Sequence, residues 1–384
     1  MKKIYLDNSA TTALSDAAKS AMISAMDIYG NPSSLHSAGL EAEKLIKEAR
    51  ENVAVALGVR SLRDARLIFT SGGSEANNLA IFGSAFAKAR REANKIIITD
   101  SEHPSLENPA KKLEESGFKV VRISTRGGEL DLDMLKHEAK GTLFASFMMV
   151  NNETGALYDV ERAFKIVKEQ SPYVVTHCDA VQGFLKIRFS VSNLGADLIS
   201  VSSHKIHGPK GVGALYIAPE IIKAKKIVPH ILGGGQEFGL RSGTENTIGI
   251  SGFGAAARAG FERLDESIEQ MSNVREHIIA SLPTEIRVNS PFKAAPHILN
   301  ITLPKIKSET MLHFLSSKGI FVSSGSACSS HSSTPSSSLI AFGLSPKEAD
   351  CSIRISLCPE NSLEEAQEFC AALGEGLRTL IRMK

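Results

Sequence analysis

Alternation of short apolar runs with helical stretches is the feature of this sequence that most restricts its fold. From Arg66 onward, seven apolar runs of strand length follow one another, and segments of helical periodicity separate most of them. The strand candidates are residues 66–70, 95–99, 119–123, 142–148, 173–177, 197–201 and 212–217. This alternation predicts an α/β fold with a large, mainly parallel seven-stranded sheet, whose ligands bind outside the carboxyl ends of the strands.

The stretches before and after this region predict a second, smaller domain. Residues 5–12 are expected to form a short strand and a polar turn, and residues 39–57 a long surface helix. Residues 245–270 are expected to form one long helix leading to strands at 297–303, 320–322 and 352–357, with helices at 308–318 and from Ser362. We therefore expect a large α/β domain over 13–257 and a smaller α+β domain formed by 1–12 and 258–384.

Composition excludes several classes of function. The formal net charge is +2, which gives no indication of a nucleic-acid partner or an anionic membrane surface. No apolar run is long enough to span a bilayer, and Asp7 and Asn8 interrupt the N-terminal run, so a secretory signal is not expected. The five cysteines are odd in number and form no CxxC pair. Neither a disulfide framework nor a metal site is indicated, and a cytoplasmic location is expected.

A lysine after a predicted buried strand is the first candidate for chemistry. Lys205 lies in residues 202–211, Ser-Ser-His-Lys-Ile-His-Gly-Pro-Lys-Gly, directly after the strand candidate 197–201. Such a lysine is either a loop cation facing solvent or a nucleophile that forms a Schiff base with an aldehyde cofactor, its pKa lowered by burial and a neighbouring charge. This stretch alone leaves both interpretations open.

The turn after the first sheet strand predicts an anion site. In residues 70–77, Thr-Ser-Gly-Gly-Ser-Glu-Ala-Asn, Gly73 allows close approach of the backbone to an anion and Ser74 adds a hydroxyl near a helix N-terminus. The segment is not a Walker loop, because no Lys-Ser/Thr pair follows the glycines. The alternative is an ordinary turn in which Ser74 caps the helix.

Polar residues that follow other strands add to this picture. His103 is either structural or a ring that stacks on a cofactor and moves protons. Asp179 suits the protonated nitrogen of a pyridine ring, with Gln182 donating to the ring oxygen, although a helix cap is the simpler alternative. Asn152 is either a contact of the cofactor or substrate or a turn residue. Arg354, among apolar neighbours, predicts either an amino-acid carboxylate as its partner or a structural ion pair.

A single cysteine lies in a serine-rich loop over about residues 323–338. Small polar residues around Cys328 predict a mobile loop. A cysteine in such a loop is unusual, because free cysteine normally prefers the interior. The position suits a nucleophile that must move between two sites. The alternative is a disordered loop that carries an incidental thiol. The other cysteines are expected to pack in strands or helices.

Taken together, the sequence resembles the cysteine desulfurases of the NifS/IscS type, within the class V aminotransferase family. The matching motifs are residues 5–12 (Tyr-Leu-Asp-Asn-Ser-Ala-Thr-Thr), 70–77, 203–205 (Ser-His-Lys), 208–211 (Gly-Pro-Lys-Gly), 233–237 (Gly-Gly-Gly-Gln-Glu), 241–244 (Arg-Ser-Gly-Thr) and 325–328 (Gly-Ser-Ala-Cys), which span nearly the whole chain. The long serine-rich loop resembles the group with an extended catalytic-cysteine loop. One departure is His207, at a position where many relatives carry tyrosine.

The resemblance implies fold-type I architecture, a homodimer and pyridoxal 5'-phosphate. It assigns catalysis to Cys328, Lys205 and His103, and substrate binding to Arg354 and Asn152. The implied cofactor contacts are Gly73, Ser74, His103, Asn152, Asp179, Gln182, Ser202, His204, Lys205 and, from the partner subunit, the residue at position 244, which is threonine here.

The resemblance also implies the reaction. L-Cysteine would give L-alanine and a persulfide on Cys328, from which a sulfur-acceptor protein, such as an iron–sulfur scaffold, takes the sulfur. An aminotransferase or a selenocysteine lyase of the same superfamily is the alternative enzyme. A non-catalytic scaffold on this fold is the alternative of another class, but it would not need Lys205, Asp179, His103 and Cys328 together.

Overall fold

The computed structural model describes residues 3–59, 61–87, 93–324 and 336–381. The strands are β1 Ile4–Tyr5, β2 Arg66–Thr70, β3 Lys95–Thr99, β4 Lys119–Ile123, β5 Thr142–Met148, β6 Val175–Asp179, β7 Leu198–Ser202, β8 Gly213–Ile217, β9 Arg287–Val288, β10 Ile298–Thr302, β11 Ile320–Phe321 and β12 Ser352–Ser356. The helices are α1 Asp16–Met26, α2 Ser37–Ala56, α3 Gly73–Ala85, α4 Pro104–Glu115, α5 Leu132–Glu138, α6 Val160–Gln170, α7 Val191–Leu194, α8 Pro219–Lys223, α9 Thr247–Glu262, α10 Leu264–Ser281, α11 Ser308–Ser317, α12 Ser337–Phe342, α13 Pro346–Asp350 and α14 Leu363–Thr379.

The predicted seven-stranded sheet is confirmed. Its order is β2-β8-β7-β6-β5-β3-β4, and every neighbouring pair is parallel except the two pairs that β8 makes. Strands β2 to β5 have the predicted bounds. Strand β6 begins two residues later than predicted, because the backbone N–H of Val174 closes a turn on the carbonyl of Ser171. Asp179 is therefore the last residue of a buried strand, at the carboxyl edge of the sheet.

The single long helix predicted for residues 245–270 is wrong. Two helices, α9 and α10, occupy this region and meet at Arg263, where φ is −115° and ψ is 16°. The two helices belong to different cores: α9 packs against α1 and α2, whereas α10 buries Met271 and Ile278 with α14. The break at Arg263 allows the two helices to pack on different cores.

Two separate hydrophobic clusters fill the interior. The larger one surrounds the seven-stranded sheet. The smaller one joins β1, α10, α11, α14 and the antiparallel sheet β12-β10-β9, and it includes the N-terminal Ile4 and Leu6. The domain limits 13–257 and 258–384 stay a prediction.

The end of the serine-rich loop is more ordered than the sequence suggests. Ser336 caps α12 by accepting from the backbone N–H of Leu339, and Ser337 and Ser338 belong to that helix. Ser338 is buried and accepts a 2.9 Å hydrogen bond from the amide of Asn151. This contact holds Ser338 in the interior, so the serine-rich loop ends before it. Cys328 lies outside the described residues. Within the described ranges, no helix is both long and apolar enough to cross a membrane.

Candidate active site

The carboxyl edge of the large sheet and the N-terminal segment enclose a cavity that gathers most of the predicted site residues. Those that line it are Gly73, Ser74, His103, Asn152, Asp179, Gln182, Ser202, His204, Lys205 and Arg354. The parallel register explains the grouping, since Met148 of β5 pairs with Asp179 of β6 and both lie at strand ends. Thr244 is exposed and is not among the described residues that line this cavity.

Lys205 points into the cavity from the turn that follows β7. Its ammonium donates to the backbone carbonyl of Ser9 and, at 2.8 Å, to that of Ala10. The amide of Gln182 donates to the same Ser9 carbonyl at 3.0 Å. Lys205 is only partly exposed, so the interpretation as a loop cation facing solvent is wrong. The Ser9 and Ala10 carbonyls were not predicted to contact Lys205, although both residues lie in the motif at residues 5–12.

Asp179 is held by donors on both oxygens. One oxygen accepts from the backbone N–H of Val181 at 3.0 Å, and the other accepts from the amide of Asn77 at 2.8 Å. Asn77 lies one helical turn after Gly73 on α3 and also donates to Ser105 at 2.8 Å. These bonds fix the carboxylate at the base of the cavity. Asn77 is a site residue that the sequence reasoning missed, although it lies within the segment at 70–77.

His103 combines a structural position with a place in the cavity. Its side chain caps α4, because Nδ1 accepts from the backbone N–H of Ser105 at 3.1 Å. Burial lowers the pKa of His103, Asp179 opposes this shift, and the positive charge of Lys205 adds to it. A neutral ring whose Nδ1 accepts carries its proton on Nε2. The two interpretations of His103 are therefore compatible.

The turn at the start of α3 has the properties expected of an anion site. The helix begins at Gly73, and its cap, Gly72, makes no side-chain capping bond, so the alternative in which Ser74 caps the helix is wrong. A Cβ on Gly73 would lie 2.8 Å from the Cγ2 of Val181, so only glycine fits between the helix and this side chain. The buried hydroxyl of Ser202 has no hydrogen-bond partner among the described residues. The backbone N–H groups at the start of α3 and the Ser202 hydroxyl are therefore donors available to an anion.

A second histidine borders this anion site. Burial, followed by the charges of Lys205 and Lys210, lowers the pKa of His204 to about 4. Its Nδ1 lies 3.2 Å from the hydroxyl of Thr11. The ring is therefore neutral at physiological pH and can offer a hydrogen bond but no charge.

Arg354 reaches the cavity from β12 and is almost fully buried, at 1% exposure. One amino group donates to the carboxylate of Asp7 at 2.8 Å, and the other donates to the backbone carbonyl of Asn152 at 2.9 Å. The guanidinium Nε is buried and has no hydrogen-bond partner among the described residues. Arg354 thus forms a structural ion pair and also lines the cavity. Its ion-pair partner, Asp7, was not predicted from the sequence.

A buried carboxyl group lies behind this wall. One oxygen of Glu102 accepts from the hydroxyl of Thr99 at 2.9 Å and from the backbone N–H of Met148 at 3.0 Å. Burial, followed by the charge of Asp179, raises the pKa of Glu102 to about 8. Glu102 is therefore mostly protonated at neutral pH, which limits the negative charge beside Asp179. No sequence pattern predicts this role of Glu102.

Known proteins are similar to this chain over nearly its whole length. Residues 4–369 match the class-V aminotransferase family. The cysteine desulfurase of Trichormus azollae is 38% identical, with 100% of this chain and 96% of that protein covered. The cysteine desulfurase IscS of Dictyoglomus turgidum is 40% identical, with 99% of this chain and 96% of that protein covered.

Solved structures agree with these relatives. A NifS-like protein superposes with a TM-score of 0.90 at 36% identity, covering 99% of this chain and 100% of its own. A structure described as SspA in complex with cysteine has a TM-score of 0.80 at 33% identity, with 94% of this chain and 100% of that one covered. The chain therefore belongs to the class-V aminotransferase family and, within it, to the cysteine desulfurases of the NifS/IscS type.

Proposed function

We propose that this protein is a pyridoxal 5'-phosphate-dependent L-cysteine desulfurase that yields L-alanine and a persulfide on Cys328. The observation that carries the proposal is the meeting of Lys205, Asp179, His103 and Arg354 around one cavity. An amine, a ring-nitrogen partner, a stacking ring and a carboxylate binder are the groups that amino-acid chemistry on this cofactor requires. The relatives named cysteine desulfurase support the same substrate.

The residues present fit the cofactor. The uncapped start of α3 at Gly73 and Ser74, together with Ser202 and His204, would hold the phosphate, and the orphaned Ser202 hydroxyl supplies a donor for it. Asp179 would hold the ring nitrogen and Gln182 the ring oxygen, while His103 would stack on the ring and Asn152 would contact it, since all four line the cavity. When bound, pyridoxal phosphate supplies an aldehyde for the substrate amine and an electron sink for the charge left on the substrate Cα.

Arg354 is proposed to orient the substrate. Its side chain is already aligned by Asp7 and by the Asn152 carbonyl, so little rotamer freedom is lost when a carboxylate binds. The unpartnered Nε gives the guanidinium a donor to offer to that carboxylate. Asn152 is the second proposed substrate contact, because its side chain faces the same cavity.

Lys205 is proposed to move the proton at the substrate Cα. The carbonyls of Ser9 and Ala10 stabilise its ammonium form and so hold the proton that the amine has accepted. His103, with its proton on Nε2, is a second proposed donor within the same cavity.

Cys328 is proposed to take the sulfur. Its thiolate attacks the substrate sulfur, a sulfur–sulfur bond forms, and the bond between that sulfur and the substrate Cβ breaks. The electron pair of the broken bond stays with carbon, which gains a proton and becomes the methyl group of alanine. The sum is thiol plus L-cysteine giving persulfide plus L-alanine, so no outside oxidant is required.

We also propose an oligomeric state, a partner protein, a cellular location and domain limits. We expect a homodimer in which Thr244 of one subunit contacts the cofactor phosphate of the other, and a sulfur-acceptor protein that receives the persulfide. The exposed position of Thr244 supports the first of these. A cytoplasmic location, with the domain limits 13–257 and 258–384, completes the proposal.

Removal of the Cys328 sulfur tests the proposal. Cys328→Ala should bind cofactor and L-cysteine, with the expected changes in cofactor absorbance, yet release almost no alanine or sulfide. Mass spectrometry of the wild-type protein should find one additional sulfur on the peptide that contains Cys328. Cys370→Ser, in α14 and far from the cavity, is the matched control and should keep wild-type turnover. If Cys328→Ala turns over L-cysteine at the wild-type rate, an aminotransferase is the better assignment.

A further inference from the structure

A second group of ligand-type side chains lies outside the cavity. His207, Cys358 and Glu360, here called the His207 cluster, place a ring nitrogen, a sulfur and a carboxylate oxygen within 4.8 Å of one another. None of the three is among the described residues that line the cavity. His207 follows Lys205 by two residues, whereas Cys358 and Glu360 follow β12. The cluster therefore joins the segment after the proposed catalytic lysine to a strand of the smaller core.

The imidazole of His207 is oriented like that of a metal ligand. Its Nδ1 lies 3.0 Å from the backbone carbonyl of Ala13. A carbonyl only accepts, so Nδ1 must carry the hydrogen, and in the neutral ring Nε2 is left with a free lone pair. This Nε2 is buried, has no hydrogen-bond partner among the described residues and lies 3.6 Å from a carboxylate oxygen of Glu360. Ligating histidines commonly donate their second nitrogen to a backbone carbonyl in this way.

The backbone of Cys358 is held in place by the side chain of Asn361. Its N–H donates to the side-chain oxygen of Asn361 at 2.8 Å, and Asn361 in turn donates to the carbonyl of Tyr5 at 3.2 Å. The thiol is buried and interacts with Glu360. Sulfur, imidazole nitrogen and carboxylate oxygen thus lie close together.

We propose that the His207 cluster binds one borderline-soft divalent cation of the Zn²⁺ class, with His207, Cys358 and Glu360 as its protein ligands. Zinc accepts nitrogen, sulfur and oxygen ligands at about 2.0–2.3 Å in tetrahedral geometry, which places neighbouring ligand atoms about 3.3–3.7 Å apart. The 3.6 Å separation between His207 and Glu360 already meets this requirement. On binding, the Cys358 thiol loses its proton to solvent as the metal–sulfur bond forms, and water fills the fourth position.

A buried lysine, Lys186, lies near this site. The charge of Lys186 acts on Cys358 and on Glu360, and it opposes a cation between them. The thiolate and the carboxylate supply two negative charges, which neutralise the ion but leave the charge of Lys186 uncompensated. We therefore expect a site of moderate affinity that becomes tighter when the charge of Lys186 is removed. That gain is expected only if the ion lies in the His207 cluster.

Binding would link two parts of the chain that are far apart in sequence. The ion would tie the segment that carries Lys205 to the loop after β12, and so would stabilise the folded state by an amount that grows with the logarithm of the free ion concentration above Kd. This inference goes beyond the proposed desulfurase activity, because it needs neither the cofactor nor Cys328.

Cation titration of the holoenzyme tests the proposal. All arms carry Cys328→Ala, so that the loop thiol cannot bind the ion. Calorimetry with Zn²⁺ should give one ion per chain, and Co²⁺ should show visible bands typical of a tetrahedral site together with thiolate-to-cobalt absorption. Cys358→Ser and Glu360→Gln should each weaken binding about 10-fold or more, while Lys186→Met should strengthen it.

Two control variants separate the His207 cluster from other donors. Cys351→Ser removes a different buried thiol, and His313→Gln removes an exposed histidine that lies 3.9 Å from Glu309. Both should bind Zn²⁺ like the parent. Glu360→Gln changes a mostly exposed side chain and so keeps the test valid if Cys358→Ser does not fold. Failure of the folded parent to bind either ion, or unchanged affinity in Glu360→Gln, would overturn the proposal. Loss of desulfurase activity alone would not bear on it.

Discussion

The two walls of the cavity are built in different ways. One wall consists of strand ends and turns of the large sheet and carries His103, Asp179 and Lys205. The other consists of the N-terminal segment and β12, and it is held together by long-range contacts such as that between Asp7 and Arg354. The first wall is fixed by the register of parallel strands, whereas the second depends on single hydrogen bonds between distant parts of the chain.

This difference separates cofactor chemistry from substrate recognition. The proposed cofactor contacts lie almost entirely on the strand-end wall, and the proposed carboxylate binder lies on the other. Lys205 connects the two, because it extends from the strand-end wall to the carbonyls of Ser9 and Ala10. Substitutions on the two walls should therefore change different kinetic parameters.

The largest effect is expected on the strand-end wall. Lys205→Ala should fold and retain cofactor noncovalently, but it should lose the borohydride-reducible bond between cofactor and protein. Alanine formation should fall by about 10³-fold or more, since both the amine nucleophile and the proposed base are removed. Lys210→Ala, which changes an exposed lysine five residues along the same segment, should remain active. A reducible adduct in purified Lys205→Ala would show that another lysine carries the cofactor.

A smaller effect is expected on the opposite wall. Arg354→Lys should raise KM for L-cysteine by about 10- to 100-fold, because a point charge replaces a planar guanidinium that Asp7 and the Asn152 carbonyl align. Asp7→Asn should change KM in the same direction but less, since an amide oxygen can still accept from Arg354. The preference for L-cysteine over its methyl ester, measured as a ratio of kcat/KM values, should shrink in Arg354→Lys. An unchanged ratio would assign the carboxylate to another residue.

The smallest effect is expected behind the strand-end wall, at Glu102. The pKa of this carboxyl is raised to about 8 from 4.5, so the folded chain keeps a proton that the unfolded chain loses. The contribution of Glu102 to the free energy of unfolding is therefore fully present below about pH 4.5. It is lost as the pH rises to about 8. Glutamine does not titrate, so the Tm of Glu102→Gln relative to wild type should rise by a few degrees between about pH 6 and about pH 9. A constant difference across that range would mean that Glu102 is ionised in the folded protein.

The two walls also differ in what the sequence reveals. Strand-end residues such as Asp179 follow recognisable apolar runs, and the rule that ligands bind at the carboxyl ends of strands brings them together before any coordinates are known. The partner of Arg354 could not be found in this way, because Asp7 lies 347 residues away and no periodicity links the two positions. Likewise, the raised pKa of Glu102 depends on burial, which its position beside His103 does not predict. The break at Arg263 was missed because both halves of the region have helical periodicity and only their different cores separate them.

The start of the serine-rich loop has a consequence for delivery of sulfur. Ser323 is bridged to Arg354 by two backbone hydrogen bonds, of 3.1 Å and 2.7 Å, so the loop leaves the fold beside a residue that lines the cavity. Only four peptide links join Ser324 to Cys328, and a fully extended chain of that length spans at most about 14 Å. A persulfide on Cys328, as proposed above, would therefore be confined to a short distance from the rim of the site. We therefore expect the proposed sulfur acceptor to dock at this rim, because the segment before Cys328 is too short to carry the sulfur across the surface.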